Sequence, residues 1–272
     1  MGRLRFYAII LFSFFLMNCR FIVNHFAFFP DRQDILDTAR LPDGVDEIFI
    51  NTADGEKLQC YWLENNRSRH LLIYFHGNAG NIGHRLPDLM ALREMGLNVL
   101  GIGYRGYGKS SGRPSETGIY RDGIAALAYA IKKRGFNLDR IMVLGRSIGS
   151  TVAVEVAQGK SLAAMILVTP MTSGRAVGKA HGFGFLTYLT GNPFNNLSKI
   201  GGVHCPLLIV HGTEDEIIPF SMGQQLFSEA NGPKRFAPIA GAGHNDISTR
   251  TAVAYWEAIR SFVEAYTAAE GK

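Results

Sequence analysis

The sequence predicts an α/β fold: a mostly parallel sheet of about eight strands, helices on both faces and a short lid insertion. Three observations predict it. From about Asp31 onward, short apolar runs alternate with stretches of helical periodicity. The first two runs flank Asp54-Gly55, a hairpin signal, so the sheet should open with an antiparallel pair. One connection, Met171 to Val203, is rich in Gly and aromatic residues and too long for a plain loop.

Taken in order, residues 47–52 and 58–63 form the hairpin, and 70–75, 97–103, 140–144, 163–168, 206–210 and 235–239 complete the strands. Helical stretches fall at 84–95, 116–134, 149–159, 221–230 and 248–266. In such sheets active sites lie at the carboxyl ends of the strands, so the segment 171–203 reads as a lid over a site. Its Phe183, Phe185, Leu186, Tyr188, Leu189 and Phe194 suit either an acyl-binding wall or packing onto the core. At ~150 residues per domain the length lies near two domains, but α/β folds of this size form one. The chain therefore divides into a segment 1–25 and a single domain 26–272.

Residues 1–25 stand apart. Arg3 and Arg5 precede an uncharged run from Phe6 to Met17, a positive n-region and an apolar h-region of signal-peptide length. The run is shorter than the ~18 residues of a spanning helix. Leu16-Met17-Asn18-Cys19 resembles a bacterial lipoprotein cleavage site, at which Cys19 would be lipidated. The rival is an uncleaved anchor continuing through Phe21-Ile22-Val23; an apolar helix packed in the core is a third reading. The first two hold the chain at a membrane by its N-terminus. Positive charges stay on the cytoplasmic side, so the domain is expected on the far side, in a bacterial cell envelope.

Composition removes several classes. Hydrophobic residues at 47% and charged residues at 19% exclude a disordered chain. A net charge of +5 without any Lys/Arg-rich run excludes a nucleic-acid footprint. Cys19, Cys60 and Cys205 are too scattered for a disulfide framework, and Cys60 and Cys205 are not expected to pair. There is no CxxC, HxH or HExxH spacing, so no metal is expected. The run from Gly103 to Ser110 fits GxxxxGK[ST], and Gly101 to Gly106 fits GxGxxG. Each needs a helix directly after it to cradle phosphate, and Gly112 and Pro114 follow instead. No cofactor is expected.

The chemistry sits elsewhere. Gly145-Arg146-Ser147-Ile148-Gly149 matches GxSxG between a predicted strand and a predicted helix. A strand-to-helix turn tight enough to thrust Ser147 outward needs neighbours without bulk, and the helix start offers the Ile148 amide to a developing oxyanion. Serine alone is inert at neutral pH and needs a base and an orienting acid. Asp215 lies at the carboxyl end of strand 206–210, flanked by Glu214 and Glu216; His244 lies in the loop after the last strand. After strand 70–75, His76-Gly77-Asn78 opens a Gly-rich turn whose Asn78 amide is the second oxyanion donor, with Ala79 as its substitute. His76 reads as a buttress of that turn.

The segments 28–32 (FFPDR), 74–81 (YFHGNAGN), 104–112 (YRGYGKSSG), 145–149 (GRSIG), 170–173 (PMTS), 205–215 (CPLLIVHGTED) and Gly243-His244-Asn245 together resemble the Bem46-like branch of the α/β-hydrolases, the type of α/β-hydrolase domain-containing proteins 13 and 17. The resemblance spans about residues 26–265 and implies an α/β-hydrolase fold and a membrane-attached serine hydrolase. Some eukaryotic relatives remove fatty acyl groups from protein cysteines; they carry an N-terminal cysteine cluster where this chain has Cys19 alone. Met171 stands where Phe is usual, and Asn195-Asn196 replace a frequent Asp. The leading expectation is a hydrolase of carboxylic esters or thioesters that works through an acyl-enzyme on a small-molecule or acylated substrate. A peptidase using the same triad, or a membrane-tethered scaffold without catalysis, are the alternatives.

Overall fold

Strands that are apolar on both faces need cover on both sides. Residues 71–75, 141–145 and 164–168 are such runs, and the computed structural model buries them between two layers of helices. The structure describes residues 27–33, 41–184, 191–249 and 251–267. In chain order the strands are β1 (Phe29–Pro30), β2 (Val45–Asn51), β3 (Lys57–Leu63), β4 (Leu71–Phe75), β5 (Ala79–Gly80), β6 (Asn98–Ile102), β7 (Ile141–Arg146), β8 (Ala164–Val168), β9 (Leu207–Gly212) and β10 (Lys234–Ile239). The helices are α1 (Leu86–Glu94), α2 (Glu116–Lys132), α3 (Gly149–Ala157), α4 (Gly174–Ala180), α5 (Phe220–Glu229) and α6 (Ala252–Thr267).

Eight strands form the main sheet in the order β10-β9-β8-β7-β4-β6-β3-β2. β3 runs against both its neighbours, and all the other pairings are parallel. Side chains alternate between faces along a strand, so Leu71, Ile73 and Phe75 join one core with α2, α3 and α5, while Leu72 and Tyr74 join another with α1 and α6. The sheet is doubly wound, as expected. β1 and β5, two residues each, make a separate parallel pair.

Most element boundaries moved by one to four residues, and three differences bear on the site. A 3-10 turn at Ile82–Arg85 precedes α1, because Pro87 suits only the first turn of an α-helix. The last helix begins at Ala252, not at 248. The predicted lid contains α4, capped by the Ser173 side chain, which accepts from the Ala176 amide. The stems of this insertion are zipped together: Gly174 N–H donates to Pro193 C=O at 2.8 Å, and Leu197 N–H to Thr172 C=O at 3.1 Å. The buried Asn196 closes its base, donating to Met171 C=O at 2.9 Å and Ser150 Oγ at 3.3 Å.

Of the residues expected to form an acyl wall, Phe194 instead packs in the core, edge-on to Phe28, and Phe183 is exposed. Its apolar ring is better covered by Phe28 and the zipped stems than by an open cleft. Phe185, Leu186, Tyr188 and Leu189 lie outside the described residues. So does the segment 1–25. Among the described residues no helix is long and apolar enough to cross a membrane.

Candidate active site

The turn between β7 and α3 carries Ser147 at φ +53°, a left-handed conformation uncommon outside Gly and kept where the surroundings enforce it. Two contacts enforce it here. A Cβ on Gly145 would strike the Gly149 carbonyl, and one on Gly149 the carbonyls of Phe75 and His76. The Ser147 amide is pinned to Val168 C=O at 2.9 Å. The serine thus projects from a crowded turn at the carboxyl edge of the sheet.

Asp215 follows β9 and His244 follows β10, which places both at that same edge. The structure brings the three together. His244 Nε2 lies 3.1 Å from Ser147 Oγ, and its Nδ1 lies 2.8 Å from Asp215 Oδ2. The carboxylate only accepts, so Nδ1 carries the proton and Nε2 is free to accept from the hydroxyl. All three side chains are buried. Asp215 Oδ1 accepts from the amides of Ile217 and Ile218 at 2.9 and 2.7 Å. Burial alone would raise its pKa. Hydrogen bonds from His211 and His244 and the Ile218 amide outweigh burial, and the carboxyl is held well below the usual range.

Glu214 and Glu216 are both exposed, and the imidazole Nδ1 pairs with Asp215. Glu216 serves the loop instead: its carboxylate accepts from the His244 amide at 3.2 Å. Arg146 grips the other side of the same residue, with Nη2 donating to His244 C=O at 3.3 Å. That guanidinium is buried 4.0 Å from Asp88, which also accepts from Tyr74 Oη at 3.1 Å. His211 is wholly buried, with Nε2 2.9 Å from Ile218 C=O and 3.4 Å from Asp215 Oδ2. Sequence reasoning missed Arg146, Glu216 and His211 as supports of the site. The available signal was their position, each adjoining a motif residue or closing a strand.

The Gly-rich turn expected to supply the second oxyanion donor follows β4. A Cβ built on Gly77 would lie 3.7 Å from the Ser147 Cβ, so this turn abuts the serine. Asn78 C=O accepts from Phe29 N–H at 3.0 Å and Tyr107 Oη at 2.7 Å. Among the described residues, the Asn78 and Ile148 amides have no acceptor. His76 is a buttress: Nδ1 donates to Gly77 C=O at 2.6 Å, Tyr104 Oη donates to its carbonyl, and the rings of Tyr104 and Tyr107 pack on it. Burial, helped by the charge of Arg85, pulls its pKa down to about 3, so the ring is neutral.

The Gly-rich run that mimics a phosphate loop holds this turn from behind. Its Lys109 amine pairs with Glu47 at 2.8 Å, and Arg105 pairs with Asp54 and the buried Asp122. Among the described residues no group of three or more His, Cys, Asp or Glu side chains is arranged to hold a metal.

Comparison with known proteins places the chain in a family. The chain is 34% identical to human α/β-hydrolase domain-containing protein 17B over 236 residues, covering 86% of this chain and 80% of that protein. The chain belongs to the α/β-hydrolase family, and to its domain-containing-protein-17 type. This hydrolase is also 34% identical to an uncharacterized protein of Mycobacterium tuberculosis, over 82% of this chain and 80% of that one. Residues 66–198 match the family described as serine aminopeptidase, S33. Among solved structures, an esterase of Pyrococcus furiosus superposes with a TM-score of 0.75 at 20% identity, covering 89% of this hydrolase and 98% of the esterase. An Exiguobacterium antarcticum esterase gives 0.63 at 18% identity, over 80% and 100%.

Proposed function

We propose that this α/β-hydrolase is a serine hydrolase that cleaves carboxylic ester or thioester bonds of acyl substrates through an acyl-enzyme. The observation that carries the reading is the continuous path from Ser147 Oγ through His244 to Asp215. Ser147 Oγ attacks the acyl carbonyl as its proton passes to His244 Nε2; Asp215 holds the ring and stabilises the imidazolium. The oxyanion takes hydrogen bonds from the Ile148 and Asn78 amides. Collapse breaks the bond to the leaving group, which departs as alcohol or thiol with the proton from His244. Water then adds to the acyl-serine with His244 again as base, and the acid is released.

The match over residues 66–198 favours a second reading, peptide hydrolysis by the same triad, although that match stops short of Asp215 and His244. A fluorophosphonate probe tests the chemistry: labelling is expected on Ser147 and absent from Ser147→Ala, whose melting temperature is unchanged. A folded wild type that resists the probe would leave a non-catalytic scaffold. Rates on p-nitrophenyl esters, acyl-CoA and aminopeptidase substrates then separate ester or thioester hydrolysis from peptide hydrolysis.

Membrane attachment through residues 1–25, with the domain on the non-cytoplasmic side, is part of the same proposal. It is supported by the basic residues Arg3 and Arg5 ahead of the apolar run. Intact-mass analysis of wild type and Cys19→Ser distinguishes cleavage and lipidation from an uncleaved anchor.

A further inference from the structure

We propose that the carboxyl edge of the sheet docks on a lipid bilayer, so that the edge carrying Ser147 faces lipid. This rests on the membrane attachment and hydrolase activity proposed above and adds an orientation to them. The first argument is where the chain enters the fold. Ala27 is the first described residue, and two residues later β1 pairs with β5, Phe29 N–H donating to Asn78 C=O. The start of the described chain is therefore tied to the oxyanion turn itself, at the carboxyl edge.

Its reach is short. From Cys19 to Ala27 is about eight residues, at most ~27 Å fully extended, and from Val23 about four residues, or ~14 Å. Both attachment routes thus hold the site near the membrane surface. The amino edge of the sheet lies the length of a strand farther away, ~17 Å for five residues.

The second argument is what that edge exposes. Phe29, Ile217 and Phe183 are exposed by 55%, 37% and 59%. Each is carried by a segment bonded to the site. Phe29 joins the oxyanion turn, and the Ile217 amide donates to Asp215. His181 Nε2 donates to Ile217 C=O at 2.8 Å, which brings the end of α4, and Phe183 two residues on, to the acid loop. The other exposed large apolar side chains among the described residues are Phe49 on β2, Ile124 and Ile131 on α2 and Val253 on α6. None of those elements carries a site residue. A substrate whose acyl chain is dissolved in the bilayer could then pass to Ser147 without crossing water.

The test uses the full chain in phosphatidylcholine vesicles with two fluorogenic or chromogenic esters, a water-soluble short-chain one and a long-chain one dissolved in the bilayer. A Gly/Ser spacer of about 40 residues, with an r.m.s. reach of ~35 Å, is inserted between Phe26 and Ala27; Phe29→Ser is made separately. Each change is expected to lower the ratio of bilayer to soluble rates about tenfold, the spacer leaving the soluble rate unchanged. Unchanged ratios would overturn the docking. A wild type inactive on both esters would sink the hydrolase reading instead, so docking is also read without catalysis. Phe29→Trp in a Ser147→Ala background is expected to be quenched by brominated lipid beyond the quenching of the Ser147→Ala chain alone. An unquenched indole overturns the proposal whatever the activity, as does a dimer that Phe29→Ser dissociates, which would assign the patch to a second copy.

Discussion

Asp215 accepts from two backbone amides on one oxygen and from imidazole on the other, so its charge and its orientation are fixed together. Asn in its place keeps the shape but removes the charge and turns an amide N–H donor toward Nδ1–H, which needs an acceptor. Asp215→Asn is expected to lower kcat/KM by about 10³–10⁴-fold. Glu216→Gln keeps an oxygen for the His244 amide and should cost less than about tenfold. Steady-state rates of the two variants check this, and the reverse ranking would move the acid to Glu216.

His76 predicts a pH dependence of stability. Folded, it stays neutral down to about pH 3, whereas an exposed imidazole protonates near 6.5. Between those values the unfolded chain binds the extra proton. The contribution of this group is therefore complete above pH 6.5 and falls with pH by about 1.4 kcal/mol per unit until its folded pKa is reached. Urea unfolding between pH 7 and 5 should show that slope in wild type and a shallower one in His76→Asn, with the buried-lowered His70 common to both. At this scale the triad and His76 were legible because motif spacing and chain order point to them. Arg146 and Glu216 were not, because they act on the backbone of a residue 98 and 28 positions away.

At the scale of elements, the β7–α3 junction explains why its glycines stand where they do. Gly→Ala inside an ordinary helix stabilises by about 1 kcal/mol. At Gly149 the methyl would meet two main-chain carbonyls of the β4 end, and main chain cannot rotate aside. Gly149→Ala is expected to destabilise instead, by about 1–3 kcal/mol, in urea titrations with fluorescence detection; the sign alone decides. The hairpin was readable from Asp54-Gly55, and the central strands from apolar runs bounded by turn residues. α4 was not, because Gly174-Arg-Ala-Val-Gly-Lys-Ala180 has weak intrinsic propensity and depends on its Ser173 cap and zipped stems. β1 and β5 are two residues each, below any pattern a sequence can display.

Across the whole molecule, β6, β4, β7 and β8 separate β3, which carries Cys60, from β9, just after Cys205. Five strand spacings amount to ~24 Å, against the ~7 Å a disulfide tolerates. Both thiols are free and buried, and burial raises the pKa of each, that of Cys205 to about 11. Iodoacetamide at pH 8 is expected to leave both unmodified in the native protein and to alkylate both in urea, as peptide mass mapping will show. The same long-range order has a consequence for the protein's birth. Ser147 leaves the ribosome well before Asp215, and His244 later still. No contiguous fragment holds the chemistry, so a half-made or still-threading polypeptide carries an unarmed hydroxyl. Seating the last parallel strand brings His244 to Ser147, so folding itself completes the site.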